Sequence, residues 1–105
     1  LTAANGLPLH CDGARIWNAH VATGVPLAEY GAQFDTMSVC LSKGLGSPVG
    51  SMVVMKDPAR LEAARDLRHR LGGAMRQAGI IAAGGLYAIR HHVARLIQDL
   101  GQQLN

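Results

Sequence analysis

Two short apolar runs each end in a residue that can do chemistry. The first closes on His10-Cys11-Asp12-Gly13-Ala14-Arg15, and the second leads through Ser38-Val39-Cys40-Leu41-Ser42 to Lys43 and then Gly44-Leu45-Gly46. A lysine carried by a strand onto a glycine-rich loop can form an imine with a carbonyl once its amine has lost a proton. A carboxylate at the end of a neighbouring strand can hold a protonated ring nitrogen. Together the two side chains point to a pyridoxal phosphate (PLP) site, with Lys43 as Schiff-base lysine and Asp12 as pyridinium partner. Each alone has a plainer reading: Asp12-Gly13 suits a turn at a strand end, and Lys43 a solvated loop position.

The elements that must deliver these residues follow from the apolar pattern. Residues 7–11 are expected as a short buried strand opened by Pro8 and ending at Asp12-Gly13. Residues 14–22 suit a short helix that Gly24 closes and Pro26 keeps from resuming, with one more helical turn over 27–32. A second strand is expected over 37–41 and a glycine- and proline-containing loop over 42–50. A third apolar strand over 51–55 follows after only about eight residues, too few for a parallel crossover, so it is expected to run antiparallel to the second or to lie elsewhere in the sheet.

Asp57 as N-cap with Pro58 at the first position predicts a helix to about residue 71, stopped by Gly72-Gly73. Its Leu61, Ala64, Leu67 and Leu71 form a narrow apolar stripe. A long helix is expected over 76–104, with Leu86, Ile89, Val93, Leu96, Leu100 and Leu104 at three- and four-residue steps. Strands between helices indicate an α/β domain, and ligands of open α/β sheets sit beyond the carboxyl ends of the strands, where Asp12 and Lys43 both fall. Three strands make a poor complete sheet for this much helix, and the chain opens at Leu1 as if inside a fold. Residues 1–105 therefore read as a fragment of a larger domain.

Composition narrows the function classes. The chain is 49% hydrophobic and 16% charged, which fits one globular domain. The net charge of +3 comes from basic residues interleaved with acids along helices, without the basic stripe and stacking aromatics that nucleic-acid binding wants. No apolar stretch reaches the ~20 residues of a membrane span, and no secretory leader is read. Cys11 and Cys40 both lie in apolar runs and are expected as buried free thiols in a reducing compartment: the cytoplasm, with the mitochondrion as the alternative. His69, His91 and His92 lack the i, i+4 spacing of a helical metal site, so no metal is expected. Gly44-Leu45-Gly46 is not a dinucleotide fingerprint, because no helix with the third glycine follows.

Three segments carry a more specific resemblance. His10 to Ala19 resembles the H-x-D-G-A-R segment of the low-specificity threonine aldolases, PLP enzymes of the aspartate aminotransferase fold. Ser38 to Ser51 resembles that family's Schiff-base lysine segment, and Leu71 to Gly79 a third motif, all in order and spanning nearly the whole chain. The resemblance implies part of the PLP-dependent transferase large domain, with a mostly parallel sheet packed by helices. It implies retro-aldol cleavage of L-threonine or L-allo-threonine to glycine and acetaldehyde, in a dimer or tetramer. The alternatives are a β-eliminating PLP lyase of the same fold and a non-catalytic piece.

By the same resemblance Lys43 is the catalytic, cofactor-linked lysine, and Asp12 binds the pyridinium nitrogen. Arg15 contacts the substrate carboxylate and the cofactor, through the paired hydrogen bonds a guanidinium offers, and Arg76 lies near the cofactor phosphate at a subunit boundary. As plainer readings, either arginine could simply flank a helix. The family's upstream phosphate-binding loop, its ring-stacking histidine and its C-terminal small domain have no counterpart here, and His10 does not stand in for that histidine. The stretch 74–89, apolar on most faces, is expected to need cover from a second subunit or from further strands of the same chain.

Overall fold

The computed structural model describes residues 1–103, with side chains through Gln98. Strand β1 (His10–Gly13) leads into helices α1 (Ile16–Thr23) and α2 (Leu27–Ala32). Strands β2 (Thr36–Cys40) and β3 (Ser51–Met55) follow, then α3 (Pro58–Arg70) and α4 (Gly79–Gln103). The sheet order is β1-β2-β3. β1 and β2 are parallel, with Asp12 beside Ser38, while β3 pairs antiparallel to β2, with Val53 beside Ser38.

Pleating sorts the strand residues onto two faces. Cys11, Gly13, Met37, Val39, Met52 and Val54 share one, and His10, Asp12, Thr36, Ser38, Cys40, Ser51, Val53 and Met55 share the other. A 2.8 Å hydrogen bond between His10 Nδ1 and Thr36 Oγ1 agrees with this sorting. Met37 and Val39 are buried with Ile16 and Trp17 of α1, Leu41 and Leu45 after β2, and Ala88 and Leu96 of α4. The core thus lies on one side of β2, and α1 and α4 pack together over it.

β3 falls where the sequence predicts it, and of the two placements expected it takes the antiparallel pairing. α3 likewise starts at its expected cap: Asp57 accepts a 2.9 Å hydrogen bond from the Ala59 N–H, and Pro58 supplies the first turn. β1 begins three residues later than the apolar run suggests. Pro8 cannot donate, and the ladder opens only at Leu9, whose N–H reaches Asp35 Oδ2 (2.8 Å) and whose carbonyl accepts from Asp35 and Thr36. Nor is β1 fully buried, since His10 and Asp12 are exposed. α4 starts at Gly79, leaving Arg76 in the preceding segment.

Two apolar stripes also differ from expectation. On α4 the inner face runs through Gly85, Ala88 and Leu96, flanked by half-buried Ile81, Ile89, His92 and Val93, while Leu86 is exposed. Gly85 is turned inward because it lies against Leu41 Cδ1, a seat with no room for a leucine. Leu100 and Leu104 lie outside the described side chains. On α3 only Leu61 and Ala64 are half-buried, and Leu67 and Leu71 are exposed. Both cysteines are free and half-buried rather than buried, on opposite faces of the sheet.

Candidate active site

Asp12 and Lys43 arrive at the same end of the sheet on adjacent parallel strands. Asp12 sits next to last in β1, exposed, with Oδ1 accepting a 3.1 Å hydrogen bond from the Ala14 N–H. Asp12-Gly13 is not the turn itself, for Gly13 is buried and still paired with Val39. A Cβ there would lie 2.7 Å from the Ser38 carbonyl oxygen and 3.0 Å from Met37 Cγ. Close approach of β2 excludes any side chain at 13, and the chain turns only afterwards, into α1.

Lys43 follows β2 by three residues and is exposed, while the backbone around it is anchored at several points. Trp17 Nε1–H of α1 donates to the Cys40 carbonyl at 2.8 Å, holding the end of β2. Leu41 is buried; its N–H donates to Gly50 and its carbonyl accepts from Ser47, both at 2.9 Å, which closes the loop at its neck. The Lys43 carbonyl accepts from the Gly46 N–H at 2.8 Å. Leu45 is fully buried, and its carbonyl lies 2.8 Å from His92 Nδ1 of α4, which donates because a carbonyl can only accept. Ser42, between neck and lysine, is exposed. Neither Asp12 nor Lys43 joins an ion pair among the described residues.

Arg15, exposed, is the residue from which α1 starts, three positions after Asp12, so it shares that end of the sheet. Arg76, also exposed, lies between α3 and α4 beside Gln77, whose φ of 50° is unusual for a residue with a side chain. No hydrogen bond or ion pair links Arg76 to the other three. A concavity of about 460 Å³, lined in part by Thr2, Leu9, Gln33, Asp35, Lys56 and Arg60, opens at the opposite end of the strands. At the chemistry-bearing end Asp12, Arg15, Ser42 and Lys43 are all exposed. No group of three His, Cys, Asp or Glu side chains suited to a metal occurs among the described residues.

Sequence reasoning missed the supports of this loop. Trp17 and His92 read as ordinary helix residues, yet they hold the carbonyls of Cys40 and Leu45 from 23 and 47 positions away. No local pattern marks them. The one available signal is that each is a hydrogen-bond donor on an inward-facing helix position.

A family model described as beta-eliminating lyase matches residues 1–104. The chain belongs to the beta-eliminating lyase family. Within it, the low specificity L-threonine aldolase of Escherichia coli strain K12 is 50% identical over 98 residues, covering 93% of this chain and 29% of that protein. The low-specificity L-threonine aldolase of Candida albicans is 46% identical over 92 residues, covering 88% of this chain and 24% of its own length. The chain thus spans less than a third of the curated relatives it matches.

Among solved structures, a Listeria monocytogenes protein described as a candidate L-allo-threonine aldolase superposes with a TM-score of 0.81 at 22% identity, over 92% of this chain and 27% of that one. An Exiguobacterium protein, described as a candidate aromatic amino acid beta-eliminating lyase/threonine aldolase, gives 0.72 at 28% identity, over 85% and 25%. The three strands and their helices therefore follow the fold of threonine-aldolase-type enzymes, with one parallel and one antiparallel pairing in this stretch.

Proposed function

We propose that the protein carrying this chain is a PLP-dependent carbon–carbon lyase that cleaves L-threonine or L-allo-threonine to glycine and acetaldehyde. The observation that carries this reading is the delivery of Asp12 and Lys43 to one end of the sheet by adjacent parallel strands. The donor set fits the cofactor: an exposed amine on an anchored loop, and a carboxylate with one oxygen held by a backbone N–H. When bound, PLP supplies an electron sink for the pair left on the substrate's α-carbon.

This chain's residues do the rest. Lys43 would hold the cofactor through its amine, and that amine, when free, would carry a proton. Asp12 would hold the ring nitrogen as its carboxylate partner and favour its protonated form. Arg15 would bind the substrate carboxylate through its guanidinium fork, and Arg76 would contact the cofactor phosphate. Cleavage of the Cα–Cβ bond would balance without redox change: the β-hydroxyl proton passes to a base, the bonding pair stays on the α-carbon, and an equivalent proton returned there, as by the free Lys43 amine, gives glycine beside acetaldehyde.

A homo-oligomer suits the exposed Met75, Ile80, Leu86 and Tyr87, which a second copy could cover. Among the described residues no helix is long and apolar enough to cross a membrane. Two free thiols suit the reducing cytoplasm.

The description of the family model favours one second reading, β-elimination, and product analysis of the full-length protein separates the two. Glycine plus acetaldehyde from threonine supports the aldolase; ammonia plus a 2-keto acid supports the eliminase. Lys43→Ala is expected to lower turnover by roughly a thousandfold or more and to remove the visible band of the lysine–PLP imine. Normal turnover in that variant would dismiss Lys43 from its role.

A further inference from the structure

Gly44, the residue after Lys43, is glycine for a reason that lies on another helix. Its φ is not among the positive glycine values, so backbone conformation does not demand glycine there. A Cβ at 44 would overlap Asn18 Oδ1, and would lie 2.9 Å from Asn18 Nδ2 and 3.0 Å from its Cγ. The Asn18 amide of α1 is laid directly against the backbone that carries Lys43.

That oxygen has a second peculiarity. Oδ1 of Asn18 is buried and has no hydrogen-bond partner, the one such side-chain atom among the described residues. An unpaired buried amide oxygen costs stability, so an asparagine serving only to fill space is a poor choice at this position. The rest of the loop is held elsewhere: its neck by Leu41, Ser47 and Gly50, its far side by the His92–Leu45 hydrogen bond. Asn18 is the side chain that meets the loop immediately beside Lys43.

We infer that Asn18 is a positioning residue for Lys43. Its amide plane seats Gly44 and so sets the direction in which the lysine leaves the loop. The inference rests on the reading of Lys43 as the imine-forming lysine, but it concerns geometry rather than the identity of the reaction. Asn18 and Gly44 form a matched pair in which one supplies the flat polar surface and the other the missing Cβ.

The test is a double-variant cycle in the full-length protein, reading the rate at which the visible imine band grows on adding PLP, well below the unfolding temperature. Lys43→Ala is the control; persistence of the band there would overturn the underlying reading and not this one. With the control behaving, Asn18→Ala is expected to slow band growth about ten- to a hundredfold, because small misplacements of a reacting group cost that much. kcat should fall in step while KM stays nearly constant. Gly44→Ala alone should slow band growth comparably through the overlap with Asn18. In the Asn18→Ala background the same change should have little further effect, since the clash is gone. An Asn18→Ala protein with wild-type band growth would overturn the inference. So would a Gly44→Ala effect of equal size in both backgrounds. Should Gly44→Ala fail to fold, the Asn18→Ala rate and its kcat against KM split decide alone.

Discussion

The half of the chain that carries Asp12 and Lys43 and the half that follows β3 are built differently. Around Lys43 each element is tied to another: Trp17 to Cys40, His92 to Leu45, Ser47 to Leu41, with Leu45 fully buried between them. Across β3, α3, the segment before α4 and the first turn of α4, Met52, Val53, Val54, Leu67, Leu71, Met75 and Ile80 are all exposed, and no residue of α3 is buried. The radius of gyration of 15.5 Å exceeds the roughly 13 Å expected for a compact domain of this length. The contrast teaches that the lysine loop is organised by contacts within this chain. The other half instead carries apolar side chains that no described part of this chain covers.

Substitutions of one residue type in the two halves break or sharpen the comparison most directly. Leu45→Ala removes a fully buried side chain and is expected to destabilise by about 2–5 kcal/mol in urea unfolding of the full-length protein. Leu71→Ala, at a site 83% exposed, should stay within about 0.5 kcal/mol. Equal losses at both positions would mean that the second half is covered in the whole protein, and the contrast would belong to this stretch alone.

Trp17→Phe keeps the ring in the core but removes the donor to the Cys40 carbonyl. It should cost about 1–3 kcal/mol, and it should slow imine formation at Lys43 because the end of β2 loses its tie. A stability loss with unchanged imine formation would show that the strand end needs no help from α1. The smallest effect is expected in the exposed half. Asp57→Ala removes the cap on Ala59 N–H and should cost about 1 kcal/mol, leaving PLP binding untouched.

Legibility in the sequence follows the same division. α3 and β3 are readable because their signals are local: Asp57-Pro58 is a start signal in two adjacent residues, and the brevity of the loop before β3 rules out a parallel crossover from β2. The start of β1 is not, since it depends on Asp35 capturing the Leu9 N–H from 26 positions away. The facing of α4 departs from its pattern at Leu86, which is exposed, because a hydrophobic pattern rewards large side chains. The inward seat against Leu41 admits only Gly85. The candidate site divides likewise. Asp12 and Lys43 announce themselves by type and position, whereas Asn18, Trp17 and His92 support the loop through contacts that no spacing rule encodes.

By itself the sequence determined the chemistry on offer: an amine and a carboxylate at strand ends, a glycine-rich loop, and the order of strands and helices, because these depend on residue type and near neighbours. Only the tertiary structure decided that the two strands lie side by side and parallel, that the Lys43 loop is held from α1 and α4, and that Gly44 answers to Asn18. Those outcomes depend on which distant surfaces come to fit, and packing of that kind is a property of the folded whole.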